Sequence, residues 1–214
     1  MINDRGDELG DGQGDSMRVI AGLYRGRRLR TIPGLDTRPT ADRLRETLFN
    51  VLSPRIQGAY FLDVCAGSGA VGIEALSRGA SHVVFVEQSR VACGIIKENL
   101  APLGAEKKTE IVNRDASVAI NALAVRSQKF DIIYFDPPYD SNLYSEAIPL
   151  IEGGGLLNDD AILVVEHRAK APLEPCYGSL QLYREIKQGD SSIAFYRVEL
   201  GEPPTAQDDE ARPA

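Results

Sequence analysis

Residues 60–72 read YFLDVCAGSGAVG, which joins an apolar run directly to a glycine-rich turn. The run 60–65 predicts a buried strand, and the residues after the turn, 70–78, predict a helix. The glycines of 67–72 follow the spacing G-x-G-x-x-G, which allows a tight turn and brings backbone amides close to a nucleotide at a helix N-terminus. The stretch therefore predicts a strand–loop–helix unit of the Rossmann type, with a nucleotide-bearing cofactor at its turn.

Strands and helices continue to alternate after this unit. We predict further strands at 82–87, 109–113, 130–135 and 161–165, and further helices at 90–103, 116–125 and 143–152. Alternation at this spacing indicates a mostly parallel sheet with helices on both faces. Two closing strands, 180–186 and 193–198, predict an antiparallel edge hairpin. The expected fold is therefore α/β and Rossmann-like, with seven strands.

The N-terminal part has a different pattern. Residues 18–31 alternate well enough for a short β-hairpin with Gly22 and Gly26 as turn points, and Thr40 is placed to cap a following helix. We expect four segments along the chain: an acidic disordered tail at 1–16, an arginine-rich hairpin and helix at 17–58, the α/β domain at 59–200, and a second acidic disordered tail at 201–214.

The charge of the chain is unevenly distributed. The formal net charge is −7, but residues 1–16 hold five acids and one arginine, and 201–214 hold four acids and one arginine, so the body between them is neutral. Within that body, residues 18–45 carry eight arginines against only Asp36 and Asp42. The arginines are Arg18, Arg25, Arg27, Arg28, Arg30, Arg38, Arg43 and Arg45. Because arginine forks onto phosphate, this segment predicts a nucleic-acid contact; the alternative is a solvated hairpin face without a ligand.

Length and composition limit the other possibilities. At 214 residues the chain has the size of one domain. It contains no apolar run of 18 residues and begins with a polar stretch, so the sequence predicts neither a membrane span nor a secretory signal. We therefore expect a cytoplasmic protein. Its three cysteines, Cys65, Cys93 and Cys176, are far apart and form no Cys-x-x-Cys pair. This pattern indicates reduced thiols and argues against a zinc site.

A second motif follows the strand predicted at 130–135: Asp136, Pro137, Pro138 and Tyr139. The prolines have no amide hydrogen and keep the segment extended, so that their carbonyls point outward. Asp136 and the Pro137 carbonyl can then accept hydrogen bonds from the exocyclic amine of a nucleobase, while Tyr139 stacks on the ring. The alternative is a loop in which Asp136 caps the next helix and the prolines end the strand.

The residues around the glycine loop favour S-adenosylmethionine over a dinucleotide. Asp63 is placed to receive the amino group, or a bridging water, of a methionine moiety, which a pyrophosphate would not favour. Glu87 suits the ribose hydroxyls of either cofactor, and Asp115 with the Ala116 amide suits adenine. The loop itself offers the backbone of Ala66, Gly67, Ser68 and Gly69. For Asp115 and Glu87 the alternative role is helix capping at a strand–helix junction.

The combined motifs resemble the bacterial 16S ribosomal RNA (guanine-N2)-methyltransferase family, which is type D among the small-subunit rRNA methyltransferases. The resemblance rests on the glycine loop together with RVIAG at 18–22, RGR at 25–27, RPT at 38–40, DR at 42–43, RETLFN at 45–50 and DPPY at 136–139. It covers roughly 17–198 and leaves out both acidic tails. It implies a class I methyltransferase fold and S-adenosylmethionine as donor. It also implies methylation of the N2 amine of one guanine of 16S rRNA, in a small-subunit assembly intermediate that contains ribosomal proteins. A monomer is the default expectation.

Three other interpretations of the sequence stay open. A DNA adenine-N6 or cytosine-N4 methyltransferase uses the same kind of tetrapeptide, although such enzymes normally carry a separate target-recognition segment. A catalytically silent RNA-binding assembly factor could retain the fold. A nicotinamide oxidoreductase is the weakest alternative, because the chain has no second domain for a substrate.

Overall fold

Eight strands form one sheet in the computed structural model, which describes residues 17–32, 39–138 and 142–199. The strands are β1 (Tyr60–Val64), β2 (His82–Val86), β3 (Thr109–Val112), β4 (Phe130–Phe135), β5 (Leu157–Arg168), β6 (Cys176–Tyr177), β7 (Leu180–Gln188) and β8 (Ser191–Val198). The helices are α1 (Pro39–Leu52), α2 (Ala70–Ser77), α3 (Arg90–Leu100), α4 (Ala116–Val125) and α5 (Leu143–Gly153), with short 3-10 turns at Ala101–Leu103 and Glu106–Lys108. No helix of the described ranges is long and apolar enough to cross a membrane.

The strand order is β3-β2-β1-β4-β5-β8-β7-β6. Strands β1 to β5 are parallel, and β8, β7 and β6 are antiparallel to their neighbours. The chain changes direction across the sheet between β1 and β4, and ligands of open α/β sheets bind outside the carboxyl ends of the strands at such a point. The predicted fold class and edge hairpin are confirmed. The expected seven strands become eight because β6 has only two residues, which are too few to leave a periodic pattern.

The sheet separates two apolar layers. Alternate residues of each central strand enter opposite layers, so Phe61 packs with α1, α2 and α3 while Leu62 packs with α4 and α5. Central strands buried on both faces read as continuous apolar runs, which is why β2, with the sequence HVVFV, shows no polar alternation. The same arrangement lets one strand present functional side chains on the α1 side and packing side chains on the other.

Several element boundaries differ from the predicted ones. Helix α1 begins at Pro39 instead of after a Thr40 cap, because proline is well suited to the first turn of a helix. Strand β5 runs over twelve residues and includes polar positions at its start that the apolar pattern did not capture. Residues 18–31 turn back on themselves as predicted, with antiparallel backbone bonds from Leu29 to Met17 and from Val19 to Arg27, but only the bridge between Arg18 and Arg28 is regular strand pairing.

This N-terminal segment is held on the body of the protein by two buried polar side chains. Glu74 of α2 accepts hydrogen bonds from the Ile20 amide (2.7 Å) and the Ala21 amide (3.0 Å). Asn99 of α3 accepts from the Arg30 amide (2.7 Å) and donates to its carbonyl (3.0 Å). Gly22, with φ of 83°, lies so close to the Ser77 carbonyl that an added Cβ would approach its oxygen to 1.9 Å. The predicted tails at 1–16 and 201–214 lie outside the described residues.

Candidate active site

The glycine loop joins β1 to α2 with the backbone freedom that its sequence predicts. Gly67 and Gly69 have φ values of 56° and 79°, and Gly69 is the residue immediately before α2. Gly72 faces β2, where an added Cβ would come within 2.3 Å of the Phe85 ring. The first two glycines therefore shape the turn, and the third lets α2 pack closely on the sheet.

Two acidic side chains fix this loop through hydrogen bonds with backbone amides. The Asp63 carboxylate accepts a hydrogen bond from the Gly72 amide (2.9 Å), and Asp63 is only 1% exposed. Glu87 accepts from the Gly67 amide (2.9 Å) with one oxygen and from the Ser89 amide (2.8 Å) with the other. Two of the three predicted cofactor-binding acids, Asp63 and Glu87, therefore hold the loop in shape.

A cavity of about 660 Å³ opens at the carboxyl ends of the parallel strands. It brings together residues that the sequence predicted for two different roles: Gly67, Glu87, Asp115 and Ala116 for the cofactor, and Asp136, Pro137 and Pro138 for the reacting amine. A smaller cavity of about 230 Å³ adjoins it and is lined by Asp63, Ala66, Ser68 and again Asp136. The two predicted groups of residues are thus parts of one cleft.

Asp115 performs the alternative role that the sequence left open for it. Its carboxylate accepts hydrogen bonds from the Ser117 amide (2.9 Å) and the Val118 amide (3.4 Å), so it caps α4. It lines the large cavity at the same time. Ala116, the first residue of α4, lies beside it in the cavity wall.

Asp136 stands at the end of β4 with its backbone amide bonded to the Val64 carbonyl (3.2 Å). Its side chain is half-buried and lines both cavities. Within the described parts of the chain no salt bridge reaches the Asp136 carboxylate, so it is available to a ligand in the cleft. Tyr139 lies outside the described residues, and its predicted stacking role stays a prediction.

Asp136 belongs to a group of three acids on neighbouring strands. In the sheet, Asp63 of β1 is paired with Tyr134 of β4, and Phe135 of β4 is paired with Val165 of β5. The next residues along β4 and β5, Asp136 and Glu166, are therefore neighbours. Asp63 and Glu166 line the smaller cavity together with Asp136. The Tyr134 hydroxyl donates to Glu166 (2.6 Å). We call Asp63, Asp136 and Glu166 the acidic cluster.

Two members of the acidic cluster, Asp136 and Asp63, have raised pKa values. Burial raises the pKa of Asp136 well above its ordinary range, and the charges of Glu166 and Asp63 raise it further. Burial likewise raises the pKa of Asp63 to about 7, although the hydrogen bond from Gly72 opposes the shift. No described group of His, Cys, Asp and Glu side chains is arranged to hold a metal ion. Like charges held together in a cleft favour a positively charged ligand there.

Glu166 and Tyr134 belong to the site, although no motif of the sequence singles them out. Glu166 comes directly after the strand predicted at 161–165, which is the position where parallel strands present functional groups. That signal was available, but its meaning depends on β5 lying beside β4, and strand order is not visible in the sequence. Tyr134 lies inside an apolar run, and this position predicts a core side chain and not a functional one.

Cys65 follows β1 in a left-handed conformation, with φ of 65°. A residue other than glycine rarely adopts this conformation, and it occurs most often at functional sites. Burial raises the pKa of the Cys65 thiol to about 12, with further contributions from Asp136 and other nearby acids. The thiol is therefore a neutral part of the cavity wall.

The predicted arginine contacts divide into two groups. Arg18, Arg25, Arg27, Arg28 and Arg43 are exposed, and Arg30 is exposed but paired with Glu98. Arg45 is buried: it donates to the Arg18 carbonyl (2.7 Å) and pairs with Asp42 (3.1 Å). Arg45 is therefore held inside the protein, where it lines the smaller cavity, and its contact with RNA stays a prediction. Its spacing from Leu48 and Leu52 places it on the buried stripe of α1, a signal present in the sequence. Arg38 lies outside the described residues.

Fold and cleft together define a class I methyltransferase. The sheet order, the glycine loop after β1 and the Asp-Pro-Pro segment after β4 are the features that carry this assignment.

Comparison with known proteins identifies the family. Residues 17–197 match the family described as Conserved hypothetical protein 95. The chain is 39% identical over 190 residues to ribosomal RNA small subunit methyltransferase D of Escherichia coli K12, covering 89% of this chain and 92% of that protein. It is 38% identical over 181 residues to YlbH of Bacillus subtilis, covering 85% and 98%. The chain belongs to this family, that of ribosomal RNA small subunit methyltransferase D.

Solved structures agree with this assignment. The structure of yhhF from Escherichia coli is 38% identical, covers 86% of this chain and 98% of that chain, and superposes with a TM-score of 0.74. SMU.776, solved in complex with S-adenosylhomocysteine (SAH), is 15% identical and covers 76% of this chain and 50% of its own, with a TM-score of 0.56. At that identity the likeness concerns the fold alone.

Proposed function

We propose that this chain transfers a methyl group from S-adenosylmethionine to the exocyclic N2 amine of a guanine in 16S rRNA, within a small-subunit assembly intermediate. The observation that carries the proposal is the shared cavity, in which Asp136 and Pro137 stand beside the glycine loop, Glu87 and Asp115. The names of the relatives, ribosomal RNA small subunit methyltransferases, support rRNA as the substrate. A cytoplasmic location fits such a substrate.

The charge of the cofactor suits the cleft. The sulfonium of S-adenosylmethionine is a cation, and the acidic cluster supplies negative charge, while the arginine of the smaller cavity, Arg45, is already paired with Asp42. The loop from Ala66 to Gly69 would carry the methionine moiety, Glu87 the ribose, and Asp115 with Ala116 the adenine.

The chemical step is an in-line displacement. The N2 lone pair of guanine forms a bond to the methyl carbon while the carbon–sulfur bond breaks, and its electron pair stays on sulfur to give SAH. The nitrogen then releases one proton. Guanine N2 is a poor nucleophile because its lone pair is delocalised into the ring, so positioning dominates catalysis. Asp136 and the Pro137 carbonyl would accept the two amine hydrogens and favour a more tetrahedral nitrogen.

The raised pKa of Asp136 gives this residue a second role. A bound sulfonium lowers the pKa of a nearby carboxyl group because it stabilises the carboxylate. Methyl transfer moves that positive charge from sulfur to the methylated nitrogen, and transfer of a proton from this nitrogen to Asp136 then neutralises both groups. Asp136 is therefore a better proton acceptor after the reaction than an ordinary aspartate would be.

The exposed arginines would hold the RNA. Arg18, Arg25 and Arg43 line a shallow cavity of about 290 Å³ on the same side as α1, and Arg27, Arg28 and Arg30 continue the basic surface. Phosphate contacts there can offset the few kcal/mol that extrusion of the base from its stack costs. Arg38 stays a predicted contact of the same kind.

The test is methyl transfer from labelled cofactor to 30S particles isolated from cells that lack the activity, followed by nucleoside analysis. We expect label in N2-methylguanosine of 16S rRNA. Asp136→Asn should abolish most of the signal, and Asp159→Asn, an exposed acid near the start of β5, serves as the matched control. Label in methyladenosine, in duplex DNA, or in neither would contradict the proposal.

A further inference from the structure

The two cavities of the cleft share the lining residues Cys65, Gly67, Asp136 and Glu166, of which two are acids. Asp136 and Glu166 line both the larger and the smaller cavity. The parallel pairing of Phe135 with Val165 makes them the next neighbours along β4 and β5. Side chains at paired positions of parallel strands point to the same face of the sheet. The cleft therefore presents two carboxylates side by side where the target base would enter.

Glu166 is held in a defined position by two tyrosines. The Tyr134 hydroxyl donates to one carboxylate oxygen (2.6 Å), and the Tyr144 hydroxyl donates to the Glu166 backbone carbonyl (3.1 Å). Tyr134 is buried in the sheet, and Tyr144 packs edge-on against Phe135 with ring centroids 6.0 Å apart. A glutamate fixed in this way is preorganised to accept a hydrogen bond, because little rotamer entropy is lost on binding.

Two adjacent acceptors distinguish guanine from adenine. The pairing edge of guanine presents the N1 hydrogen next to the N2 amine, so both neighbouring positions are donors. The corresponding edge of adenine presents the N6 amine next to N1, whose lone pair is an acceptor. A carboxylate opposite N1 would therefore stabilise guanine and repel adenine, and sites that leave a buried polar group unpaired discriminate strongly.

We propose that Glu166 selects guanine by accepting the N1 hydrogen, while Asp136 accepts a hydrogen of the reacting N2 amine. This inference rests on the proposed function and adds a specificity-determining residue to it. Tyr134 is a positioning residue, because it acts on the base only through Glu166. Glu166 shares the cleft with Asp136 but takes no part in bond making, so its removal should relax selectivity as well as slow the reaction.

The test compares guanine with 2-aminopurine at the target position of reconstituted 30S particles. 2-Aminopurine keeps the 2-amine, replaces the N1 hydrogen with a lone pair and lacks the 6-oxygen, so the effect of Glu166 is measured by how far its substitution changes the preference between the two bases. With the wild-type protein we expect single-turnover methylation of guanine to exceed that of 2-aminopurine by roughly 100-fold or more. In Glu166→Gln, whose amide can either accept from N1–H or donate to N1, the preference should shrink to within about tenfold.

Controls separate this role from the others. Glu174→Gln, an exposed acid remote from the cleft, should keep the full preference, and Tyr134→Phe should reduce it partly with the carboxylate intact. Cofactor affinity of Glu166→Gln, measured by calorimetry, should change by less than about tenfold because Asp63 and Asp136 remain and can ionise when the cationic cofactor binds. Thermal denaturation checks that each variant is folded.

The outcomes are distinguishable from those of the proposed function. If the wild-type protein forms no N2-methylguanosine, the proposed function and this inference fail together. If N2-methylguanosine forms and Glu166→Gln keeps the wild-type preference for guanine over 2-aminopurine, only the role of Glu166 is overturned. A large loss of cofactor affinity with unchanged preference would likewise overturn it and assign Glu166 to the sulfonium.

Discussion

The acidic cluster and the arginine-rich segment 17–32 differ in sign of charge and also in how the charge is held. Asp63, Asp136 and Glu166 stand on three neighbouring strands, and burial raises the pKa of Asp63 and of Asp136. The arginines of the segment extend into solvent from a backbone fixed by Glu74 and Asn99. The fold keeps the acids of the acidic cluster close together despite their mutual repulsion. The arginines of segment 17–32 are exposed to solvent, so their charges destabilise the fold little.

This difference separates two kinds of functional contribution. Charges fixed in a buried cleft act on a bound group at close range, where geometry and proton affinity decide the rate. Charges exposed to solvent act on a polyanion through many weak, salt-dependent contacts, which decide affinity. Substitutions in the cluster should therefore change the chemical step, and substitutions in the segment should change RNA binding.

The largest expected effect is that of Asp136→Ala. We expect methyl transfer to fall by roughly 100- to 1,000-fold, the usual effect of removing one preorganised group from a transition state. Cofactor affinity should change by less than about tenfold, because Asp63 and Glu166 remain. Turnover with saturating 30S particles and calorimetry with the cofactor measure the two quantities. A comparable loss of both would place Asp136 in the cofactor site instead.

Glu74→Ala tests how the two regions are joined. Glu74 is fully buried, accepts the Ile20 and Ala21 amides, and pairs with Arg78 (2.7 Å). Removing one partner of a buried pair costs roughly 3–5 kcal/mol, so the free energy of unfolding should fall by about that amount. Protease cleavage should concentrate in 17–32. Glu98→Ala, which removes an exposed pair with Arg30, should lower stability by less than about 1 kcal/mol.

Asp63→Asn tests how much the buried acid of the cluster lowers the free energy of unfolding, separately from its effect on cofactor binding. The folded pKa of about 7 exceeds the ordinary value of 3.8, so the folded state binds the proton more tightly than the unfolded state does. The contribution of Asp63 to stability therefore falls as the pH rises from about 4 to about 7 and then stays constant. Asparagine can still accept from the Gly72 amide without a charge.

We expect Asp63→Asn to exceed the wild type in unfolding free energy by roughly 2–4 kcal/mol at about pH 8, with a smaller advantage at about pH 5. Chemical denaturation at both pH values measures the difference. The same variant should bind the cationic cofactor more weakly. An advantage that is independent of pH would contradict the assignment of the shift to Asp63.

The smallest effect per residue belongs to the arginines. Arg25→Ala combined with Arg27→Ala should weaken RNA binding by roughly tenfold and reduce the slope of log affinity against log salt by about 0.7–0.9 for each phosphate that is no longer bound. Arg184→Ala with Lys187→Ala removes the same charge from β7, at the antiparallel edge of the sheet, and should leave the slope nearly unchanged. Equal slopes for the two double variants would contradict a specific contact surface.

The sequence predicted the fold well because the fold follows from local patterns. The apolar runs, the glycine spacing and the Asp-Pro-Pro segment each determine a strand, a turn or a strand end by themselves. They predicted β1 to β4 to within one residue at each end, and the structure brings the two motifs together in one cavity.

The remaining features depend on tertiary neighbours. Glu166 gains its place only because β5 lies beside β4, and the bond from Tyr134 follows from that adjacency. Asp115 and Glu87 each bond to backbone amides and also line the cavity. This double role depends on the tertiary structure and is not visible in the sequence. Arg45 is the exception, because the helical spacing of its apolar neighbours already indicated burial.

The division of labour between the two regions can be measured directly by single-turnover methyl transfer at increasing concentrations of 30S particles. We expect Asp136→Asn to lower the maximal rate at an unchanged half-saturating concentration, and the variant with Arg25→Ala and Arg27→Ala to raise that concentration at an unchanged maximal rate. The opposite pattern, in which the aspartate variant binds RNA poorly and the arginine variant reacts slowly at saturation, would contradict the account.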